Sequence, residues 1–231
     1  MATSETTNDD ATTFRPANEV PWEDLDRVFG ERGDPARCHC QWLKTFDRTF
    51  TDMPVEERTR RFRAETGCDD PEARETTGIV AYRDGEPVGW AAVEPRPAFV
   101  RFRKTRVQWA GRQEDRADEG VWAIACFVVR KGFRRQGVSH ALVVGAVEHA
   151  RRHGARAVEG YPMELAPGVE DIWGELFVGP RSAFDAAGFH EVTHPTTRRS
   201  VMRLEFQRDD GQRAGTQHDD DRRDDGQREG S

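Results

Sequence analysis

The chain has 231 residues, 35% of them hydrophobic and 33% charged, with a formal net charge of −7. That length suits one sizeable domain with tails, and the apolar share is low for a chain folded throughout. The acidic balance argues against a nucleic-acid binder, and the lack of an apolar run of about 18 residues argues against a membrane span.

The apolar deficit is concentrated at the ends. Residues 1–13, "MATSETTNDDATT", offer almost nothing to bury, and residues 207–231 contain no aliphatic side chain larger than alanine. Both are expected to be disordered tails, since burial cannot offset the entropy of ordering them. Residues 1–13 carry −3, and residues 207–231 set five arginines against eight acids, also −3; −7 + 3 + 3 leaves −1 for residues 14–206. The domain itself is therefore expected to be nearly neutral. The acidic, polar start does not read as a secretory signal, so a cytoplasmic protein with reduced Cys38, Cys40, Cys68 and Cys126 is expected.

Within residues 14–206, a short extended piece leads to a helix with Pro21 near its first position. Trp22, Leu25, Val28 and Phe29 share one face of it, and Gly30 and Gly33 end it. "DPARCHCQWLKTF" follows no single period. "PVEERTRRFRAETG" reads as a second helix, started by Pro54 and stopped by Gly67. The period then changes to that of a hairpin: a strand over 78–83, an Asp84-Gly85 turn and a strand over 87–94. Residues 96–120 are polar and arginine-rich, expected as a loop with a partial strand. "VWAIACFVV", 121–129, is β-rich and apolar, as a buried central strand should be. A helix follows from Val138 to a stop at Gly154, then a strand in "ARAVEGYP", a short helix ending at Gly188 and a closing hairpin in "HEVTHPTTRRSVMRLEF". The strand–loop–helix–strand unit over 121–160 predicts a parallel βαβ crossover flanked by antiparallel hairpins, a mixed α/β sheet.

"FRRQGVSHAL", 133–142, joins the apolar strand to that helix. A glycine turn at a helix start is an anion site, because free N–H groups and the helix dipole point at the ligand. Neither G-x-x-x-x-G-K-[ST] nor G-x-G-x-x-G is present, so the P-loop and dinucleotide readings fail. What remains is R-x-x-G-x-S over Arg134, Arg135, Gln136, Gly137, Val138 and Ser139. This closely resembles the [QR]-x-x-G-x-[GA] pyrophosphate loop of the GNAT N-acyltransferase superfamily. "CFVVRKGFRRQGVSHALV" resembles that family's fourth strand, loop and third helix. "AAGFHEV" resembles its late helix, Gly-Phe turn and sixth strand, and "SVMRLEF" its last strand, so the likeness spans roughly 14–206.

The resemblance implies the GNAT fold: an α/β chain of the α+β type, with a mixed central sheet of about seven strands, a parallel βαβ core and flanking helices. It also implies acetyl-CoA as cosubstrate, with the amides of Arg134 to Ser139 holding the pyrophosphate. The backbone of Phe127, Val128 and Val129 would pair with the pantetheine arm, one amide polarising the thioester carbonyl. Arg130, Lys131, Arg134 and Arg135 would meet phosphates as charged partners. Ser139 departs from the family's small residue; its hydroxyl either donates to a phosphate or caps the helix.

The implied chemistry is direct attack of an amine on the thioester, which needs a base and often an acid. The family's frequent acid is a tyrosine four residues before the glycine of the late Gly-Phe; here it is Phe184. Tyr161, after the fifth strand, is the candidate acid, with a packed strand-end aromatic as the alternative, and Glu159 and Glu119 are the candidate bases. Cys38, His39 and Cys40 invite a metal reading. A C-x-C strand pointing both thiols to one face, with no second clear pair, favours burial near Trp42 instead, so no metal is expected. Cys126 reads as a small core residue, an acyl-cysteine being the remote alternative. "RPAFVRFRKTRVQWAGR" mixes basic and aromatic residues as single-strand binders do, but in a neutral domain it reads as a loop over the acceptor site. The expected function is acetyl transfer from acetyl-CoA to a primary amine of a small molecule or peptide in a ternary complex. The alternative, which Phe184 supports, is an acyl-CoA-binding module without turnover. No nucleic-acid or membrane partner is expected; homodimers are common in the family. The acceptor pocket would come from 22–62 and 96–120.

Overall fold

Alternating and fully apolar strands assemble here into one sheet that needs cover on both faces. The computed structural model describes residues 12–164 and 176–207; the two expected tails lie outside them except for Thr12, Thr13 and Gln207. The strands are β1 (Thr13–Pro16), β2 (Gly78–Arg83), β3 (Glu86–Pro95), β4 (Val121–Val129), β5 (Ala157–Gly160), β6 (His190–Thr196) and β7 (Arg199–Glu205). They lie in the order β1-β2-β3-β4-β5-β7-β6, with β4 and β5 parallel and the other neighbours antiparallel.

Two cores explain the apolar runs of β3 and β4. On one face α7 (Val138–Arg152) and α8 (Arg181–Ala186) bury Leu142, Val143, Ala146 and Phe184 against Ile124 and Val158. On the other, α1 (Trp22–Phe29) and α5 (Val55–Thr66) bury Leu25, Phe29 and Phe62 against Trp90 and Val80. Trp22, assigned to the same face of α1, is only half-buried. No helix among the described residues is long and apolar enough to cross a membrane.

Two segments differ from expectation. Residues 96–120 hold no strand: Arg96–Ala98 and Val107–Trp109 are 3₁₀ turns, and α6 (Val100–Lys104) lies between them. Folding back this way buries Phe99, Phe102 and Trp109, which an extended loop would leave in water. "DPARCHCQWLKTF" is helical, as α2 (Asp34–Cys38) and α3 (Gln41–Lys44), followed by α4 (Asp47–Asp52). His39 and Cys40 turn the chain between α2 and α3 with φ of 46° and 57°. Cys38 and Cys40 are therefore not strand neighbours, and Cys40 is buried while Trp42 is 38% exposed.

The centre of the sheet is irregular in a way that positions a site. Ala92 pairs with Cys126 and Val93 with Ile124, so Ala125 is an extra residue on β4, a β-bulge. β5 pairs with β4 only from Val121 to Ile124, while on its other edge it follows β7 up to Met202. Pro162 has no N–H to donate across to β4, although its carbonyl still accepts from Ser200 on the β7 side at 3.4 Å. The two parallel strands part there, and β4 from Ala125 to Val129 keeps one edge without a strand partner among the described residues.

Gly160 ends β5 at this parting, and the ring of Phe184 fills the place of its side chain: an added Cβ would sit 2.1 Å from Phe184 Cε1. Gly160→Ala is expected to cost about 1–3 kcal/mol by overpacking, lowering the urea midpoint at unchanged slope. In a Phe184→Ala background, where the clash is gone, the same substitution should cost far less.

Candidate active site

Beyond the point where β5 leaves β4 lies a cleft of about 1860 Å³, walled by the end of β4, the 130–140 loop, the α1–α2 connection and α2. Phe127, Val128, Val129, Arg134, Arg135, Gly137, Val138 and Ser139 all line it. Gln136 does not. Its side-chain amide donates to the Gly132 carbonyl at 2.7 Å and its own carbonyl accepts from Arg83 at 2.9 Å, so it braces the loop from behind.

The loop is shaped by its backbone. Arg135 (φ 60°) and Gly137 (φ 77°) both take left-handed conformations. Such reversals turn successive N–H groups toward one side and make a concave anion nest. α7 starts directly from Gly137 with no side-chain cap, so its first amides are left for a ligand. Ser139 faces the cleft and does not cap, which removes one of the two readings of its hydroxyl. Arg134 is held by a bond from Nε to the Val129 carbonyl at 3.1 Å, and Arg130 by Glu86 at 3.0 Å.

Glu159, fully buried on β5, sits among three guanidiniums. Arg96 Nη1 lies 3.1 Å from its Oε1, Arg203 Nε donates to the same oxygen at 3.0 Å, and Arg112 bonds both of its oxygens. Burial pushes its pKa up, but the charges and hydrogen bonds of Arg112, with Arg96 and Arg203, outweigh this and hold the carboxyl below its usual range. The Tyr161 hydroxyl donates to Glu159 Oε2 at 2.8 Å, and burial and the Glu159 charge push this phenol well above its ordinary value. Its proton is thus turned toward Glu159 and its lone pairs away. Glu119 is exposed at the other end of β4, ten residues before Val129, roughly 30 Å along an extended strand; it does not line the cleft. Phe184 is wholly buried.

Sequence reasoning did not single out the partners of Glu159. Arg96, Arg112 and Arg203 come from distant segments, and the only signal was an arginine-rich run over 96–112 with no acid within it. It also missed a second chamber of about 220 Å³ that adjoins the cleft at Trp42, Leu43 and Phe177 and is lined by Tyr161, Gln108 and Ser200.

Cys40 and Cys68 lie in the core and Cys126 packs against it, as expected. Cys126, read as plain core, lines the cleft and touches Cys40, whose sulfur accepts from Trp90 Nε1 at 3.3 Å. The Cys40 contact and burial raise the Cys126 pKa, and burial raises Cys38 to about 11, so neither is a ready thiolate. Among the described residues, the grouping whose ligand atoms converge is instead Glu164, Glu191 and His194, and Arg181 already pairs with both carboxylates.

The model of the acetyltransferase (GNAT) family matches residues 40–161. No protein of curated function matches the chain. Among solved structures it is similar to an acetyltransferase (19% identity, TM-score 0.49, covering 84% of this chain and 100% of that one). It is also similar to an N-acetyltransferase from Staphylococcus aureus Mu50 (13%, 0.44, 84% and 98%). A third is the PaiA N-acetyltransferase from Thermoplasma acidophilum in complex with coenzyme A (11%, 0.43, 85% and 99%).

Glu159→Gln would leave three guanidiniums facing a neutral amide, and the expected loss is about 3–5 kcal/mol at pH 7, read by urea denaturation. Glu119→Gln should stay within about 0.5 kcal/mol. The folded pKa of Glu159 is depressed, so its contribution is complete above the unfolded value of about 4.3 and is lost as pH falls through the lower folded value. The gap between wild type and Glu159→Gln should be flat from about pH 5.5 to 8 and narrow below about pH 4.

Proposed function

The chain belongs to the GNAT acetyltransferase family, and on that premise we propose that it moves an acetyl group from acetyl-CoA to a primary amine of a small molecule by direct attack in a ternary complex. The observation that carries the proposal is the edge of β4 that no strand among the described residues pairs, running straight into the 130–140 nest. Residues 14–206 form the catalytic domain in this reading, and 1–13 and 207–231 are its tails.

The residues present fit a pyrophosphate joined to an extended amide-bearing arm. The amides of Arg134 to Ser139 hold the pyrophosphate, Lys131, Arg134 and Arg135 supply positive charge, and Phe127, Val128 and Val129 offer backbone groups to the arm. Bound acetyl-CoA supplies an acetyl thioester open to an unprotonated amine. An amide on the β4 edge stabilises charge that develops on the carbonyl oxygen, where a fixed donor acts without reorganisation. The Ala125 bulge aims this edge into the gap.

Tyr161 takes a different role from the acid first expected. Because its proton is committed to Glu159, its free lone pairs suit an N–H of the incoming amine. Tyr161 then orients the acceptor, and Glu159 is a positioning residue that sets the hydroxyl. A carboxylate ringed by three guanidiniums has little basicity left, so Glu159 is not the base, and Glu119 is too remote to be one. A CoA-binding module without turnover remains the second reading, favoured by Phe184 in place of a proton donor.

Titration calorimetry should show CoA binding to the wild-type protein. Gly137→Val forces a branched side chain into a left-handed position, costing about 1–2 kcal/mol, so CoA should bind roughly tenfold more weakly. Absence of CoA binding to the wild type would overturn the proposal. Release of free thiol from acetyl-CoA with any member of an amine panel supports the enzyme, and binding without release against the whole panel supports the module. In the enzyme, Tyr161→Phe should raise KM for the amine while leaving CoA affinity unchanged.

A further inference from the structure

Val129, Val128 and Phe127 lead from the 130–140 loop towards the parting of β4 and β5, and the register shows what lies there. Ile124 is the last residue of β4 that pairs with β5, opposite Gly160. The next residues on the two strands, Ala125 and Tyr161, mark the parting, and both belong to the core on the α1–α5 face. Tyr161 also lines the second chamber, of about 220 Å³, with residues of α3, α6, the 3₁₀ turn Leu176–Val178 and the start of β7. The chamber joins the cleft along Trp42, Leu43 and Phe177. A ligand laid along the β4 edge, with its reacting end at the parting, would point any continuation of its chain at this chamber.

What the chamber offers such a chain is carbon. Leu43, Phe102, Phe177, Val178 and Val201 line it. Several polar residues beside them turn their polar atoms elsewhere. The Tyr161 hydroxyl donates to Glu159 at 2.8 Å and the Thr105 hydroxyl to the Arg101 carbonyl at 2.7 Å. Arg101 donates from Nε to the Trp42 carbonyl and pairs through Nη1 with Asp47. Its Nη2, with Gln108 Oε1 and Ser200 Oγ, is enclosed beyond the reach of anything in the chamber. An acetyl group ends at the parting and leaves this apolar wall uncovered, whereas methylenes need no more than such a wall. The volume equals the liquid share of about seven waters, room for about four methylenes beyond an acetyl group.

We propose that this chamber is an acyl pocket, and that the protein binds acyl-CoA with a straight chain of about four to six carbons in preference to acetyl-CoA. The chain lies along Leu43, Phe102, Phe177 and Val201. Continuity favours the acyl chain over an acceptor's side chain as occupant, because it is bonded to the carbon that the β4 edge would hold at the parting, beside Tyr161. The transfer balances for any chain: the bond from the amine nitrogen to the carbonyl carbon forms, the carbon–sulfur bond breaks, and CoA leaves as a thiol with the proton that the amine gives up. The proposal rests on the reading of the cleft as a coenzyme A site.

Titration calorimetry without an acceptor compares free CoA with acetyl-, butyryl-, hexanoyl- and dodecanoyl-CoA. A fully buried methylene is worth about fourfold in affinity, or about 0.8 kcal/mol. Allowing for partial burial, butyryl-CoA should bind at least about fivefold and hexanoyl-CoA at least about tenfold more tightly than acetyl-CoA. Dodecanoyl-CoA, too long for the chamber, should bind no more tightly than hexanoyl-CoA. Val201→Phe narrows the chamber and should bring hexanoyl-CoA to within about threefold of acetyl-CoA, at unchanged acetyl-CoA affinity. Phe177→Ala lengthens the chamber and should let dodecanoyl-CoA bind severalfold more tightly than hexanoyl-CoA; it decides the matter if Val201→Phe does not fold. Equal affinity for acetyl- and hexanoyl-CoA overturns the proposal. So does a gain that keeps growing to dodecanoyl-CoA in the wild type, or one that both substitutions leave unchanged, as for a chain held outside the chamber. If CoA itself fails to bind, it is the coenzyme A reading that falls.

Discussion

One buried carboxylate organises the functional half of this molecule. Glu159 stands on β5 at the last residues before the central strands part, and it draws Arg96 and Arg112 from the 96–120 segment and Arg203 from β7 onto itself. With Glu114 also in the cluster the count is three cations against two anions, 3 − 2 = +1. Buried ion clusters often return little net stability, since desolvation cancels much of the attraction. What this one supplies is placement. It fastens an otherwise polar excursion across the sheet, and Trp109 completes the fastening. The guanidiniums of Arg96, Arg112 and Arg116 lie 4.7, 4.8 and 5.0 Å from its ring, and its indole N–H donates to the Phe102 carbonyl at 2.6 Å. Phe102 in turn packs against Tyr161 at 4.5 Å between ring centroids.

The two halves of the cleft are consequently built from different materials. On the α7 side the wall is mainly backbone, shaped by left-handed residues and a strand edge. On the α3–α6 side the wall is made of side chains, each held by a neighbour: Tyr161 by Glu159, Arg101 by Trp42 and Asp47. A backbone site depends on local conformation and tolerates much substitution. A side-chain site depends on partners far away in the chain and changes with any of them.

That division also governs what could be read from the residues in order. α5 was expected from Pro54 to Gly67 and runs from Val55 to Thr66; β2 and β4 have the expected limits. The glycine turn before α7 declared itself because its chemistry is contiguous. The bulge at Ala125 did not, lying inside an unbroken apolar run with no glycine or polar residue to mark it. Segment 96–120 was misjudged because its arginines look like solvent-facing residues until Glu159, 63 residues beyond Arg96, is brought beneath them. The candidate base and acid were chosen by proximity along the strand; neither the three guanidiniums around Glu159 nor the hydrogen bond from Tyr161 to it can be read from the residues in order.

The packing of Phe184 has an evolutionary consequence. Its ring lies against the backbone of Gly160 and beside Phe127 and Phe189, with no exposed surface. A tyrosine at this position would push its hydroxyl into an apolar enclosure at a cost of about 1–3 kcal/mol, without bringing it to the cleft. A lineage that has settled on this glycine–phenylalanine contact cannot gain a proton donor at this position in one step. Selection acting on turnover would have to work instead through the opposite wall, around Tyr161, so that catalytic improvement and substrate choice would evolve in the same few side chains.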